Sequence, residues 1–372
     1  MNTSRTGRGG LASGPDLRAV VLAGGRGTRF WPLGRASRPK QFLPIAGRRT
    51  MAEDTVGRLG RLVPASRVLL VADAGQTRTL RRLFPKFPRA SFLVEPLARN
   101  TAPSLMLATA KVWLENPSAV VAVLPADHLI REPARFRGKL RAATAFAARE
   151  PSLVTFGIRP TYPATGYGYI QFSKDGARRV GREAFYPVRA FREKPDLAAA
   201  KKLVAGGGCA WNSGMFVWRA DVFAEKLEAF APDLWPVWKR IVDALERKDA
   251  GCLRKAFELA PAVSIDYGLM EKAGGVFVCE GDFGWSDVGA WSSLFGVWKA
   301  DRKENAVRGD YLALDASGCL VYNPGRLTAL IGVRDLIVVE AGGALLVCPA
   351  SQDQRVREVV ESLKKLKKSR YL

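Results

Sequence analysis

Residues Val20–Pro44 read VVLAGGRGTRFWPLGRASRPKQFLP, an apolar run that ends in a loop of glycines and cations. Between Leu17 and Ala52 there are eight Lys or Arg and no Asp or Glu. Gly24, Gly25 and Gly27 let the backbone take conformations closed to other residues and approach a ligand closely. Successive N–H groups in such a loop form an anion-binding concavity, and Arg29 and Lys40 add full positive charges. Pro32 and Pro39 stiffen the segment that carries them. The chemistry is that of polyphosphate binding. No Gly-Lys-Ser/Thr closes the segment, which excludes a P-loop. Gly25–Phe30 lacks the last glycine of a dinucleotide fingerprint, and no acidic residue ends a second strand at the required distance.

Carboxylates supply the complementary chemistry. Asp127 follows the apolar run Ala119–Leu124, where an acidic residue can hold Mg²⁺ together with phosphate oxygens and water; helix capping before Pro133 is the other use of it. Asp287, between Gly284 and Gly289, is a second carboxylate at a tight turn, able to join Asp127 on one metal or to cap a helix starting near Gly289. His128, the only histidine, reads as a hydrogen-bonded neighbour and excludes chemistry that needs two histidines. Glu193 and Lys194 set a carboxylate beside an ammonium at a strand end, and Asn212 offers an amide at a turn: hydroxyl- and phosphate-reading groups. Glu95 could accept from the adjacent N1–H and N2–H₂ donors of guanine, a pair that adenine lacks. Asn100 and Thr101 stand beside it and serve equally as a helix cap.

These residues need elements that bring them together. Strands are expected at Ala19–Ala23, Arg67–Ala72, Ser91–Val94, Ala119–Leu124 and Leu153–Ile158, alternating with helical stretches such as Thr101–Glu115. That alternation predicts an α/β fold whose mixed, mostly parallel sheet is covered by helices on both faces, with ligands beyond the carboxyl ends of the strands. The glycine loop, Glu95 and Asp127 all fall at those ends. Extended pieces and Trp- and Phe-rich helices over 159–289 are read as the second half of the same domain, reaching over the sheet edge to form a substrate pocket. A helix is expected over Ala290–Lys299. Short apolar runs over 305–348 predict a small all-β module, and Val356, Val359, Val360, Leu363 and Leu366 mark a closing amphipathic helix. The resulting division is a disordered tail over 1–17, a main domain over 18–300 and a C-terminal module over 301–372.

The 372 residues carry a formal net charge of +23, Arg-heavy and spread along the chain. No nucleic-acid motif accompanies it, so the charge is read as general surface charge that attracts anionic small molecules. Five scattered cysteines without a Cys-x-x-Cys pair fit a reducing cytoplasm, and neither a signal peptide nor an apolar run of about eighteen residues is present.

In order, LAGGRGTRFWPL…RPKQFLP, EPLARNTAP, LPADHLI, PATGYGYI, FREKP, WNSGMFVW, SIDYGLMEK and FGWSDVGAW resemble the mannose-1-phosphate guanylyltransferases (GDP-mannose pyrophosphorylases) of the sugar-nucleotidyltransferase superfamily, over roughly residues 18–350. The resemblance implies a Rossmann-like nucleotidyltransferase domain followed by a small left-handed β-helix. It implies transfer of GMP from GTP to α-D-mannose 1-phosphate, with Mg²⁺ as cofactor. Leu22, Ala23, Gly24, Gly25, Gly27 and Thr28 would bind the nucleotide, the loop Gly24–Arg29 and Lys40 holding its triphosphate, with Arg29, Lys40 and Asp127 catalytic. Glu95, Asn100 and Thr101 would contact guanosine. Gly168, Glu193, Lys194, Asn212 and Gly214 would hold the mannose phosphate, and Asp127 and Asp287 the metal. Met51–Asp54 departs from a mostly apolar and amide segment, and Gly342-Gly343 stands where many relatives carry an acidic residue; neither touches the implied site. The length falls short of the isomerase domain fused to some longer relatives, which implies a single activity. The partners expected are GTP and mannose 1-phosphate, without specific nucleic acid or membrane, and with a homodimer as the assembly considered. Rival readings are the same chemistry on another nucleotide and hexose phosphate, and a non-catalytic nucleotide sensor of the same fold.

Overall fold

The computed structural model describes residues 14–25 and 27–372. Most of the tail expected over 1–17, and Arg26 of the glycine loop, lie outside the described residues. The first strand, β1, spans Leu17–Leu22, followed by β2 (Val68–Ala72), β3 (Phe92–Val94), β4 (Val120–Pro125) and the short β5 (Leu129–Ile130). Then come β6 (Leu153–Ile158), β7 (Tyr169–Phe172), β8 (Arg178–Val180), β9 (Glu183–Arg192), β10 (Cys209–Arg219), β11 (Val276–Glu280) and the short β12 (Trp285–Ser286). Helices α1 (Met51–Leu59), α2 (Ala74–Leu83), α3 (Thr101–Glu115) and α4 (Pro133–Arg149) belong to the first half. Helices α5 (Leu197–Gly206), α6 (Ala220–Phe230), α7 (Trp235–Glu246) and α8 (Ala250–Leu259) belong to the second.

The main sheet runs β3-β2-β1-β4-β10-β6-β11-β9-β7, with β8 on β9. It is mixed, as expected, but parallel pairing is confined to β3-β2-β1-β4 and to β6–β11. Strand β10 enters antiparallel between β4 and β6. Asn212, expected at a turn, lies inside β10, where the register shifts before Phe216 and Gly214 takes φ +67°. Successive side chains of β1 feed opposite cores. Ala19 and Val21 pack with α1, α2 and α4, whereas Val20 packs with α3, α6, α7 and α8. This alternation buries both faces of the sheet and leaves the strand ends for ligand.

The remaining strands, β13 (Ala306–Leu314), β14 (Leu320–Ile331), β15 (Leu336–Ala341) and β16 (Ala344–Pro349), form a β-helix-like module. Pairing is parallel from β13 to β15 and antiparallel at β16. Helix α9 (Val356–Lys365) closes it as the apolar spacing predicts, burying Val356 and Val360. The helix expected over Ala290–Lys299 is only a single 3-10 turn at Trp291–Leu294. There the Ser292 N–H is donated out of the segment to the Asp353 carboxylate at 2.8 Å. A third core joins this module to the glycine-loop segment through Phe30, Trp31, Trp291, Trp298 and Ile337. Indole N–H groups tie it down: Trp31 donates to the Tyr371 carbonyl (2.8 Å) and Trp298 to that of Ile45 (2.7 Å).

Candidate active site

The loop after β1 is held open from below. Gln41 donates to the carbonyl oxygens of Ala23 (2.6 Å), Gly24 (3.2 Å) and Gly25 (3.3 Å), which turns them away from the ligand side. Leu22 is fixed through its carbonyl, which accepts from Ala126 N–H at 2.9 Å. Gly27 has φ +54°, and a Cβ there would lie 2.6 Å from the Lys40 backbone nitrogen. Only glycine permits that approach, which lets Lys40 pass beneath the loop. Thr28 and Arg29 then begin a 3-10 turn, Thr28–Phe30.

Lys40 is 6% exposed. Its ammonium donates to Asp127 Oδ2 at 2.9 Å and, by a short bond, to the Asp287 carbonyl. Two loops some 160 residues apart in the chain thus meet on one cation. Burial by itself would raise the Asp127 carboxyl pKa. The Lys40 charge and its hydrogen bond outweigh it and hold the group below the usual carboxylate range. His128 goes the other way, pushed down to about 4 chiefly by burial against the pull of Asp127. Its Nδ1 accepts from the Trp285 indole at 3.2 Å, so the ring is a neutral spacer between β5 and β12. The Asp287 carboxylate caps no helix; its Oδ1 accepts from the Tyr167 hydroxyl at 2.8 Å. Burial and the Asp287 charge raise the Tyr167 pKa and keep it a donor. Thr28, Arg29, Lys40, Asp127, His128 and Asp287 line one cavity of about 350 Å³. Among the described residues no cluster of three or more His, Cys, Asp or Glu side chains could hold a metal by itself. Two hard oxygen donors with room for phosphate oxygens and water fit Mg²⁺, which keeps much of its own water shell.

A cavity of about 280 Å³ adjoins the other side of the glycine loop, lined by Leu22, Gly24, Gly25, Glu95, Asn100 and Thr101 among others. Burial raises the Glu95 pKa, partly offset by the Ser104 hydroxyl, which donates to its Oε2 at 2.5 Å. Asn100, one of the two residues foreseen as the cap of α3, has that role. Asn100 Oδ1 accepts from Thr101 N–H (2.8 Å), and Thr101 Oγ1 accepts from Ile265 N–H (2.9 Å).

Gly168, Glu193, Lys194, Asn212 and Gly214 also come together. A Cβ on Gly168 would collide with Glu193 Oε2, so that carboxylate lies against bare backbone. Lys194 pairs with Glu193 and takes φ +45°. Asn212 donates to Asp266 Oδ1 (2.6 Å), while its own Oδ1 accepts from Gly214 N–H (3.1 Å) and the Thr155 hydroxyl (3.3 Å). Asn212 is therefore committed to the protein as much as to a ligand. Burial raises the Asp266 pKa against that hydrogen bond. Lys194 reaches a larger cavity of about 660 Å³ that also receives Arg29, Tyr167 and Asp287, and Gln354 and Arg357 from the C-terminal module. Gln41, Ser104, Tyr167, Asp266 and Arg357 escaped the sequence reading. Only Tyr167, an aromatic between two glycines in TGYGYI, carries a local signal that could have found it.

Comparison with known proteins agrees with this geometry. The nucleotidyl transferase family matches residues 18–304, and the MannoseP isomerase/GMP-like beta-helix domain matches 309–363. The xanthan biosynthesis protein XanB of Xanthomonas campestris pv. campestris (strain ATCC 33913) is 39% identical over 357 residues, covering 94% of this chain and 73% of its own length. The mannose-1-phosphate guanylyltransferase of Escherichia coli strain K12 is 37% identical over 359 residues, with the same shares of 94% and 73%. A solved structure described as a mannose-1-phosphate geranyltransferase from Thermus thermophilus superposes with a TM-score of 0.84 at 37% identity. The match covers 94% of this chain and 99% of that one.

Proposed function

The chain belongs to the mannose-1-phosphate guanylyltransferase family, and from that premise we propose that it converts GTP and α-D-mannose 1-phosphate to GDP-mannose and pyrophosphate. The observation that carries the proposal is Lys40, whose ammonium meets both Asp127 and the Asp287 carbonyl inside the cavity that Arg29 and Thr28 also line. A phosphate oxygen of mannose 1-phosphate forms a bond to the α-phosphorus, and the bond to the bridging oxygen breaks as pyrophosphate leaves. A phosphomonoester with a second pKa of about 6 is already largely dianionic at neutral pH and needs no general base. The neutral His128 is consistent with that. The protein's task is in-line positioning and neutralisation of charge. Lys40 and Arg29 would act at the transferring phosphoryl group and pyrophosphate. Glu95 would read the guanine edge, and Lys194 and Glu193 the sugar phosphate and its hydroxyls. Asp127 and Asp287 would hold Mg²⁺, which supplies further charge neutralisation at the phosphate oxygens.

With this reading go residues 18–300 as the nucleotidyltransferase domain and 301–372 as its β-helical partner. A cytoplasmic setting suits its free thiols. Among the described residues no helix is long and apolar enough to cross a membrane. A homodimer is the proposed assembly, and exposed Leu312, Leu314, Leu327 and Ile331 on the C-terminal module offer an apolar face for it. The test is pyrophosphate release from each of four NTPs with mannose, glucose and N-acetylglucosamine 1-phosphates. GTP with mannose 1-phosphate should exceed every other pair, and a different best pair would overturn the choice of substrates.

A further inference from the structure

A cavity of about 360 Å³ lies between the loop before α1, α1 itself, β5 and the start of α4. It shares no lining residue with the three cavities above. Its charged walls are Arg49, Arg58, Arg137 and Asp54. Arg58 is 6% exposed, and its guanidinium donates only to carbonyl oxygens, those of Asp54 (3.2 Å) and His128 (2.6 Å). Arg137 in turn donates to the Arg58 carbonyl at 3.0 Å. Among the described residues none of the three arginines forms an ion pair. Carbonyl oxygens satisfy the N–H groups of a buried guanidinium but do not neutralise its charge, and an uncompensated buried charge is costly. Burial pushes Arg58 down to about 10 and also raises the Asp54 carboxyl against the pull of Arg58 and Arg49. Arg49 and Arg137 run alongside Gly57 and Gly60 at ordinary contact distance. A Cβ on Gly57 would lie 3.4 Å from Arg49 Nη1, and one on Gly60 3.7 Å from Arg137 Cδ.

The cavity is wired to the catalytic carboxylates. The carbonyl that Arg58 holds belongs to His128, the neighbour of Asp127. Leu129 and Ile130, which form another wall, pair with Ser286 and Trp285 just before Asp287. An anion drawing on Arg58 would therefore act on backbone that carries both Asp127 and Asp287.

We propose that this cavity is an effector site for a phosphate dianion, free or esterified to a small metabolite, seated between the guanidiniums of Arg49, Arg58 and Arg137 and tuning turnover through the Arg58–His128 contact. Three guanidiniums against one carboxylate leave two positive charges, matching the roughly −1.5 to −2 of a phosphomonoester at pH 7. The planar fork of arginine suits bidentate phosphate binding.

The test is calorimetric titration of the full chain with inorganic phosphate, glucose 6-phosphate or GMP, each at saturating GDP-mannose, which fills the nucleotide and sugar sites; anion held at the Arg29–Lys40 end would persist in the double variant below, so the binding lost there is that of the arginine cavity. One equivalent of anion should bind. The double variant Arg49→Ala/Arg137→Ala should weaken it at least about tenfold and abolish its effect on turnover, while activity without added phosphate stays within about twofold of wild type. Equal affinity for the three anions would assign the site to free phosphate, and tighter binding of an ester to that metabolite class. Unchanged affinity in the double variant, or displacement of all bound phosphate by GDP-mannose, would overturn the proposal. Failure of GDP-mannose itself to bind would count against the proposed reaction, while the comparison of double variant with wild type would still decide the effector site.

Discussion

Substituting Gly27 by alanine tests whether the loop and Lys40 form one geometric unit. A Cβ at residue 27 would stand 2.6 Å from the Lys40 backbone nitrogen and 2.7 Å from its Cβ, where ordinary contact begins at 3.4 Å. The segment at Lys40 must therefore retreat by about 0.8 Å. Its ammonium cannot simply absorb that shift, because it is buried and already at 2.9 Å from Asp127 and in short contact with the Asp287 carbonyl. A misplacement of about 1 Å in a catalytic group can cost on the order of 10²-fold in rate. Gly27→Ala should lower kcat/KM for GDP-mannose formation by about that factor. A left-handed φ at a residue with a Cβ costs about 1–2 kcal/mol, which should appear as lost stability in urea unfolding. Gly25→Ala is the matched control. Its φ of +96° is equally foreign to alanine, yet a Cβ there meets nothing within 4 Å. It should lose similar stability but less than about tenfold in kcat/KM. Equal kinetic losses in the two variants, or a Gly27→Ala enzyme within about threefold of wild type, would refute the steric coupling of loop to lysine.

Three further outcomes are expected. Tyr167→Phe removes the hydroxyl that donates to Asp287 and should raise the Mg²⁺ concentration for half-maximal turnover by about tenfold or more, with little change at saturating Mg²⁺; an unchanged Mg²⁺ titration would contradict a metal role for Asp287. Glu95→Gln sets an amide where two guanine donors need an acceptor, and should cost about 1.5–3 kcal/mol, read as a rise in KM for GTP that ATP does not share. Asp301 accepts from Asn305, Lys303 N–H and Tyr311, and these bonds outweigh desolvation to hold its pKa at about 2. Because the folded value lies below the unfolded one, its stabilisation is complete above about pH 4 and lost as pH falls toward 2. Given its exposure, Asp301→Ala should cost no more than about 1 kcal/mol at pH 7, a difference from wild type that vanishes in unfolding experiments near pH 2.

What the sequence revealed, it revealed locally. Glycines followed by spaced cations, and a carboxylate directly after a buried apolar strand, are signals carried within about ten residues. Lys40, Asp127 and the β1–β4 strands are legible for that reason. The partners that hold them are not local. Tyr167 meets Asp287 across 120 positions, and Asn212 meets Asp266 across 54. Asn212 itself sits on β10, whose antiparallel place between β4 and β6 no local pattern announces. The Ala290–Lys299 segment misleads for a related reason. Its spacing of Trp291, Leu294 and Trp298 suits a helix, but these side chains are drawn into the core shared with the C-terminal module. Arg58 gives no signal because its burial beside Arg49 and Arg137, with Asp54 the one carboxylate in the cavity, is set by packing that only the folded structure exposes.

The C-terminal module is bound into the chemistry through the same residues that frame the phosphate loop. Trp31 follows the Thr28–Phe30 turn, and its indole is anchored to Tyr371. Trp291, four residues beyond Asp287, donates to the Trp31 carbonyl at 3.1 Å. Asp353, buried in the module, fixes the next residue, Ser292, and Arg357 beyond it lines the cavity that Arg29 and Lys194 share. The loop that carries the cations and the turn that carries Asp287 are thus fastened to the module and to each other at neighbouring points. Their separation is set by a packed aromatic core, which tolerates little displacement. Catalysis by positioned charge requires that rigidity, since groups that neutralise a transition state must be in place before charge develops. The module holds the loop with Arg29 and Lys40 and the turn with Asp287 against one packed core.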